Sequence, residues 1–206
     1  MKEETINQLR EIKSRFRFLM NGVASQSMRE MGLGYKLNWG IGLPLLKDMA
    51  SEYGKNMELA IELWKEDIRE CKLMALLIMP AEEMDAALVD LWVSQIPNVE
   101  IAEMAAFYLF QYLPTARDYA FKWISSAEEL TQICGYSVLS RLFLRGVMLD
   151  TRELNEYIDQ AQTALSGESI TLKRDVIASI SKLASCGEDY ENILRTAFKA
   201  YNLNVF

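Results

Sequence analysis

The residues best placed for chemistry lie in one short stretch, Ile96-Pro97-Asn98-Val99-Glu100-Ile101-Ala102-Glu103, which runs into the apolar segment Met104 to Phe110. Pro97 breaks the preceding segment and Asn98 opens a helix expected to continue to Tyr112. Glu103 stands near the start of that helix, where the dipole favours negative charge. A carboxylate there is either a solvated surface group or a source of fixed charge in a site. The chain has no histidine, so Ser-His-Asp, Cys-His and histidine-ligated metal chemistry are excluded together. Any acid or base must be a carboxylate, a lysine or a tyrosine. No cofactor and no metal is implied.

The composition limits partners as well. Twenty-nine acidic residues against twenty-two basic give a net charge of −7 over 206 residues, the opposite of what strong phosphate neutralisation asks of a whole chain. A local basic groove is still compatible with acidic outer helices. Cys71, Cys134 and Cys186 are odd in number, far apart and set in apolar helical sequence, which suits reduced, buried thiols rather than a disulfide framework. The longest apolar run, Leu73 to Met79, is too short to cross a bilayer. The charged amino terminus lacks the apolar core of a signal peptide, so a cytoplasmic protein is expected.

The elements that must hold these residues read as helices throughout, with apolar residues at three and four spacing and no period-2 strand. Helices are expected at Glu3 to Met20 and Ser25 to Met31, then, after the glycine-rich loop Gly32 to Gly42, from Pro44 to Tyr53. Asn56 is expected to cap the next, and Asp67 the helix Ile68 to Met79. Further helices follow at Glu82 to Val93, Asn98 to Tyr112, Thr115 to Ser125, Ala127 to Phe143, Thr151 to Leu165, Ser169 to Ser185 and Glu188 to Tyr201. Asp150 with Glu153 forms a capping box. Gly40-x-Gly42 lacks the third glycine and the preceding strand of a dinucleotide loop and reads as a turn. Trp39, Trp64, Trp92 and Trp123 read as core. Tyr35, Tyr108, Tyr112 and Tyr136 suit either core packing or the lining of a groove. From Pro44 onward the helices fall into pairs of thirty to forty residues, the sequence form of a HEAT-type α-solenoid in a single domain spanning residues 1–206, with a compact helical bundle as the alternative that periodicity leaves open.

Several stretches together resemble the HEAT-like DNA alkylation repair enzymes, the AlkD-like glycosylases. They are Gly40-Ile41-Gly42-Leu43-Pro44 before a helix, Glu62-Leu63-Trp64 followed by Arg69-Glu70, Lys122-Trp123-Ile124-Ser125-Ser126, and Leu172-Lys173-Arg174. The stretch at Asn98 resembles the family's Asn-Trp-x-x-x-Asp. The resemblance implies an all-α, right-handed α-α superhelix of HEAT-like repeats and the excision of cationic N3- or N7-alkylated purines. It makes Glu103 the candidate catalytic carboxylate. It also places Arg141, Arg145, Lys173 and Arg174 on helices lining a concave face, as candidate contacts to DNA phosphates.

Three positions depart from the family pattern. Valine stands at 99 in place of the tryptophan, Glu103 in place of the aspartate, and Ile133, next to the matching Gln132, in place of an arginine. The aromatic face would attract a developing sugar cation, and the arginine would grip a phosphate in two-pronged fashion, which isoleucine cannot do. The extra methylene of Glu103 displaces its carboxylate, and a shift of about 1 Å costs roughly 100-fold in rate. The expected function is therefore a divergent member that binds double-stranded, damaged DNA through backbone contacts, with weak or absent glycosylase activity. The acidic balance supports an alternative, a protein-interaction scaffold whose concave groove accepts a partner peptide and has no DNA role.

Overall fold

Short polar side chains cap six of the helices. The computed structural model describes residues 3–203, and these form twelve α-helices and three 3-10 turns, with the longest link, residues 31–42, between the second and third helices. A first compact unit ends at Tyr112 and a second begins at Leu113. In the first lie α1 (Glu3–Phe18), α2 (Gly22–Glu30), α3 (Leu43–Tyr53), α4 (Met57–Lys65), α5 (Arg69–Ile78), α6 (Ala86–Ser94) and α7 (Val99–Tyr108). The second holds α8 (Ala116–Ile124), α9 (Glu129–Leu144), α10 (Thr151–Ser166), α11 (Ile170–Ala184) and α12 (Glu188–Ala197). Asn21, Asn56, Asp85, Asn98, Asp150 and Ser169 each accept a backbone N–H three residues on, a bond that stabilises a helix by about 1 kcal/mol. The capping box of Asp150 and Glu153 forms as expected.

Some expected boundaries move for identifiable reasons. Asn21 starts α2 at Gly22 rather than Ser25. Residues 81–83 make a separate 3-10 turn, and Asp85 opens α6. Asp67 does not cap α5. Its cap residue is Ile68, which pairs with Leu37 in an isolated parallel bridge, and the Leu37 carbonyl accepts the Arg69 N–H at 3.1 Å. The loop before α3 thus satisfies a helix start that was expected to be satisfied locally.

Hydrogen bonds between helix ends give the direction of each helix within its unit. In the first unit, Arg69 at the start of α5 reaches Glu100 at the start of α7 and the Ile41 carbonyl just before α3, so α3, α5 and α7 run the same way. At the other side, Trp64 near the end of α4 stacks on Trp92 near the end of α6, with centroids 4.3 Å apart, and donates to Gln95 at 2.9 Å. Lys13 in the second half of α1 pairs with Glu66 just past α4. Asn56 N–H donates to the Ile78 carbonyl at 2.8 Å, which joins the start of α4 to the end of α5 and makes the two layers antiparallel.

The second unit repeats this plan. Arg117 near the start of α8 reaches Glu153 and the Met148 carbonyl at the start of α10. The Tyr190 hydroxyl, from the start of α12, donates to the Leu149 carbonyl and accepts from the Leu149 N–H. Ser166 and Tyr201 meet at the opposite ends. α8, α10 and α12 are therefore co-directional. Ser169 bonds Glu129 at the starts of α11 and α9, and Cys186 bonds the Phe143 carbonyl at their ends, so these two form the other layer. Two layers of alternating helices, each burying its face only on its neighbours, are the repeat plan expected from the sequence.

The cores are aromatic. Trp64, Trp92 and Trp123 are buried, while Trp39 is half-buried, each full burial contributing on the order of 1.5–3 kcal/mol. In the second unit Tyr157 sits edge-on to Tyr136 and Phe143 and donates to Ser179. Tyr136 is therefore core, whereas Tyr112 is largely exposed. Cys71 and Cys134 are buried and Cys186 is only half so, and burial pushes the Cys71 thiol up to about 12, out of reach of thiolate chemistry at neutral pH.

Gly135 sets the spacing of α8 and α9. A Cβ at this position would lie 2.9 Å from Ile124 N and 3.0 Å from the Ala120 carbonyl oxygen, both backbone atoms that cannot swing aside. Gly135→Ala gains up to about 1 kcal/mol in helix propensity but overpacks the contact by about 1–3 kcal/mol. The expected result is a net loss of stability, read as a lower urea midpoint. An unchanged or higher midpoint would show that the helices separate freely. Gly40 is equally constrained: its φ is 70° and a Cβ would meet the Asn21 carbonyl oxygen at 2.2 Å, which explains a glycine in the turn against α2.

Candidate nucleic-acid interface

The start of α7 is positioned by a polar network whose members lie far apart in the sequence. Asn98 caps the helix through its side-chain oxygen, which accepts the Ile101 N–H at 3.1 Å. Two residues on, Glu100 accepts from Arg69 Nη2 at 2.7 Å and Nε at 3.0 Å, a two-pronged ion pair, and from the Tyr35 hydroxyl at 2.5 Å. Arg69 also donates from Nη1 to the Ile41 carbonyl at 3.0 Å and to Glu70 at 3.3 Å. Glu70, with no exposed surface, accepts the backbone N–H groups of Trp39 and Ile41 at 3.1 and 3.2 Å.

Burial and charge act together here. Burial opposes the charge on Arg69, but the hydrogen bonds and attraction of Glu100 outweigh it and raise its pKa. Burial and the bond to Glu100 also raise the Tyr35 hydroxyl well above the ordinary phenol range, so this tyrosine is a fixed donor and not a base. The Asn98 Nδ2 group is buried in this network without a hydrogen-bond partner. The network holds the loop from Tyr35 to Ile41 against the starts of α5 and α7.

Glu103 lies one turn beyond Val99 on the same stripe of α7, and both are half-buried. It is also three residues beyond Glu100, which brings the two Cβ atoms to about 5–6 Å. Glu100 itself is bonded to Arg69 and Tyr35. Sequence reading singled out Glu103 and passed over Glu100. The available signal was Arg69-Glu70, two opposite charges directly ahead of an apolar run, which require partners once buried.

The four basic candidates occupy two places in the second unit. Arg141 and Arg145 are one turn apart at the end of α9, with Arg141 half-buried and Arg145 exposed, where cations suit the helix dipole. Lys173 and Arg174 lie in the first turn of α11, half-buried and exposed. Arg174 bonds its neighbour Asp175 at 3.2 Å, and burial raises the Asp175 carboxyl against the pull of that guanidinium. Since α9 and α11 start together, the two pairs stand about 12 Å apart along the helices at 1.5 Å per residue. They form two separate pairs rather than one cluster. Ile133, at the position the resemblance assigns to an arginine, has no exposed surface at all. Among the described residues, no three acidic or cysteine side chains come together in a way that could hold a metal ion. No helix there is long and apolar enough to cross a membrane.

Residues 12–168 match the profile of a family described as DNA alkylation repair enzyme. Comparison with curated protein sequences gives no match. Among solved structures, the chain is similar to one described as belonging to a new family of proteins related to the HEAT-like repeat DNA glycosylases with affinity for branched DNA structures. The two share 17% identity and a TM-score of 0.81, over 93% of this chain and 82% of the other. At that identity the likeness is one of fold, and it makes the helical layers described above a HEAT-like repeat architecture.

Proposed function

Because the chain belongs to the DNA alkylation repair enzyme family, we propose that it binds DNA through the sugar-phosphate backbone, with base excision weak or absent. The observation that carries this reading is the complete burial of Ile133. A position inside the core contributes nothing to holding a phosphate, and Val99 offers no aromatic face to a sugar cation. Glu103 alone supplies charge without the groups that place a substrate against it. The structural neighbour described as having affinity for branched DNA supports DNA, and branched DNA in particular, as the ligand. Arg141, Arg145, Lys173 and Arg174 are the proposed phosphate contacts.

Two assays separate the halves of this proposal. Incubation with duplex DNA carrying 3-methyladenine or 7-methylguanine is expected to release no base above the uncatalysed rate. Gel retardation is expected with a four-way junction and with a duplex containing an abasic site. Robust release abolished by Glu103→Gln would overturn the non-catalytic half, and failure to retard any DNA at low salt would overturn the binding half.

Salt dependence tests the residues. The logarithm of affinity falls with log salt at about 0.9 per phosphate neutralised, so Arg141→Ala with Arg145→Ala is expected to flatten the slope by about 1.8. An unchanged slope would remove these two from the interface.

A further inference from the structure

Along α1, Arg10, Lys13, Ser14 and Arg17 follow at three- and four-residue spacing and share one face of the helix. With Ile6 and Leu9 they line an open depression of about 370 Å³. This is not the core face, because Ile12 and Phe16 point from another side of the helix into the unit and have no exposure. Arg15 is tied to Glu52 at 2.6 Å, and Lys13 reaches Glu66 at 2.9 Å while its side chain stays 39% exposed. A chain of net charge −7 thus gathers cations along one helix.

An aromatic group follows further along the helix, beyond the residues that line the depression. Phe18, in the last turn of α1, is 86% exposed, and it lies one turn beyond Ser14 on that residue's stripe. An exposed phenyl ring beside a row of cations matches the two surfaces of an unpaired nucleotide, the phosphate and the face of the base. In a duplex the base faces are closed by stacking, whereas at a branch, fork or single-stranded stretch they are open. Arg10 and Arg17 are about 10 Å apart along the helix, far enough to meet different phosphates of one strand.

We infer that this face of α1 is a binding site for unpaired nucleotides, with Arg10, Lys13 and Arg17 on successive phosphates and Phe18 stacked on a base. The inference rests on the reading of the protein as a DNA binder and adds a preference for strands that leave the duplex. Phe18 stacks, and the cations hold the strand in register along the helix.

The test compares the full chain with its Phe18→Ala and Arg10→Glu/Arg17→Glu variants, whose altered residues are all exposed. The probes are a labelled oligothymidine, a fork with unpaired arms, a fully paired duplex, and vesicles containing phosphatidylserine. The parent protein is expected to bind the fork and the oligothymidine more tightly than the duplex. Phe18→Ala is expected to weaken both by about tenfold or more and to leave duplex affinity unchanged, and the double charge reversal to weaken both further. Equal affinity for fork and duplex, or a Phe18→Ala variant that binds like the parent, overturns the inference while duplex binding keeps the backbone reading standing. Loss of vesicle binding in Phe18→Ala with no change toward oligothymidine would assign the face to an anionic lipid surface and overturn it equally. Failure of the parent to bind any DNA overturns both.

Discussion

Arg69→Met is expected to destabilise the protein by about 3–5 kcal/mol, the usual cost of removing one partner from a buried ion pair. Methionine fills similar space, so the loss is electrostatic rather than a cavity. It leaves Glu70, with no exposed surface, and Glu100, with a side chain 18% exposed, without the cation between them. The Ile41 carbonyl loses its donor as well, which loosens the loop that also bonds Leu37 to the start of α5. For a protein of this size about 2–4 °C of Tm accompanies each kcal/mol, so a fall on the order of 10 °C in a circular dichroism melt is expected. Arg69→Lys keeps the charge but not the two-pronged geometry, and it is expected to fall between the parent and Arg69→Met. Glu100→Gln made in the Arg69→Met background should cost much less than in the parent, because the two residues act as one unit. A loss below about 1 kcal/mol for Arg69→Met, or additive effects in that cycle, would mean that solvent already satisfies the network.

Ile133→Arg is the second large effect, and its direction separates two views of the family pattern. If position 133 lined a surface, restoring the arginine would add a phosphate contact and strengthen DNA binding. The structure places this side chain in the core of the second unit with no exposure, so the guanidinium would have to enter an apolar interior unpaired. That costs several kcal/mol, and the expected result is a protein that is insoluble or melts well below the parent. Val99→Trp is the control: a half-buried residue in the first turn of α7 has room to direct a larger side chain toward solvent. It is expected to keep the parent's melting temperature within a few degrees. A folded Ile133→Arg variant with tighter DNA binding would contradict both the burial and the function proposed from it.

The parts that were readable in advance are those governed by groups close together in the chain. Asn56, Asn98 and the Asp150–Glu153 box start their helices because a short polar side chain reaches a backbone N–H three residues on, and such a bond needs no distant partner. Asp67 shows where this reasoning stops. Its position suits a cap, but Leu37, thirty residues earlier, takes the place by pairing with Ile68. The repeat plan was equally legible, because stripes at three and four spacing recur from α3 to α12. The face that each apolar helix turns inward was less so. In α9, Ile133 to Tyr136, Val138, Leu139, Leu142 and Phe143 are all buried, and a helix apolar on most sides carries no period to show which side is the groove.

Sequence alone therefore determined the helical class, the pairing plan and the absence of histidine chemistry, since each follows from composition or from contacts within a few residues, and it identified the family through the resemblance of several short stretches. Only the tertiary structure decided what surrounds the start of α7. Glu100 meets Arg69 across 31 residues and Tyr35 across 65, while Ile133 is sealed between packed helices. Burial makes the first grouping obligatory, because charges removed from water must find partners. It makes the second position inert, because a side chain with no exposed surface cannot touch DNA.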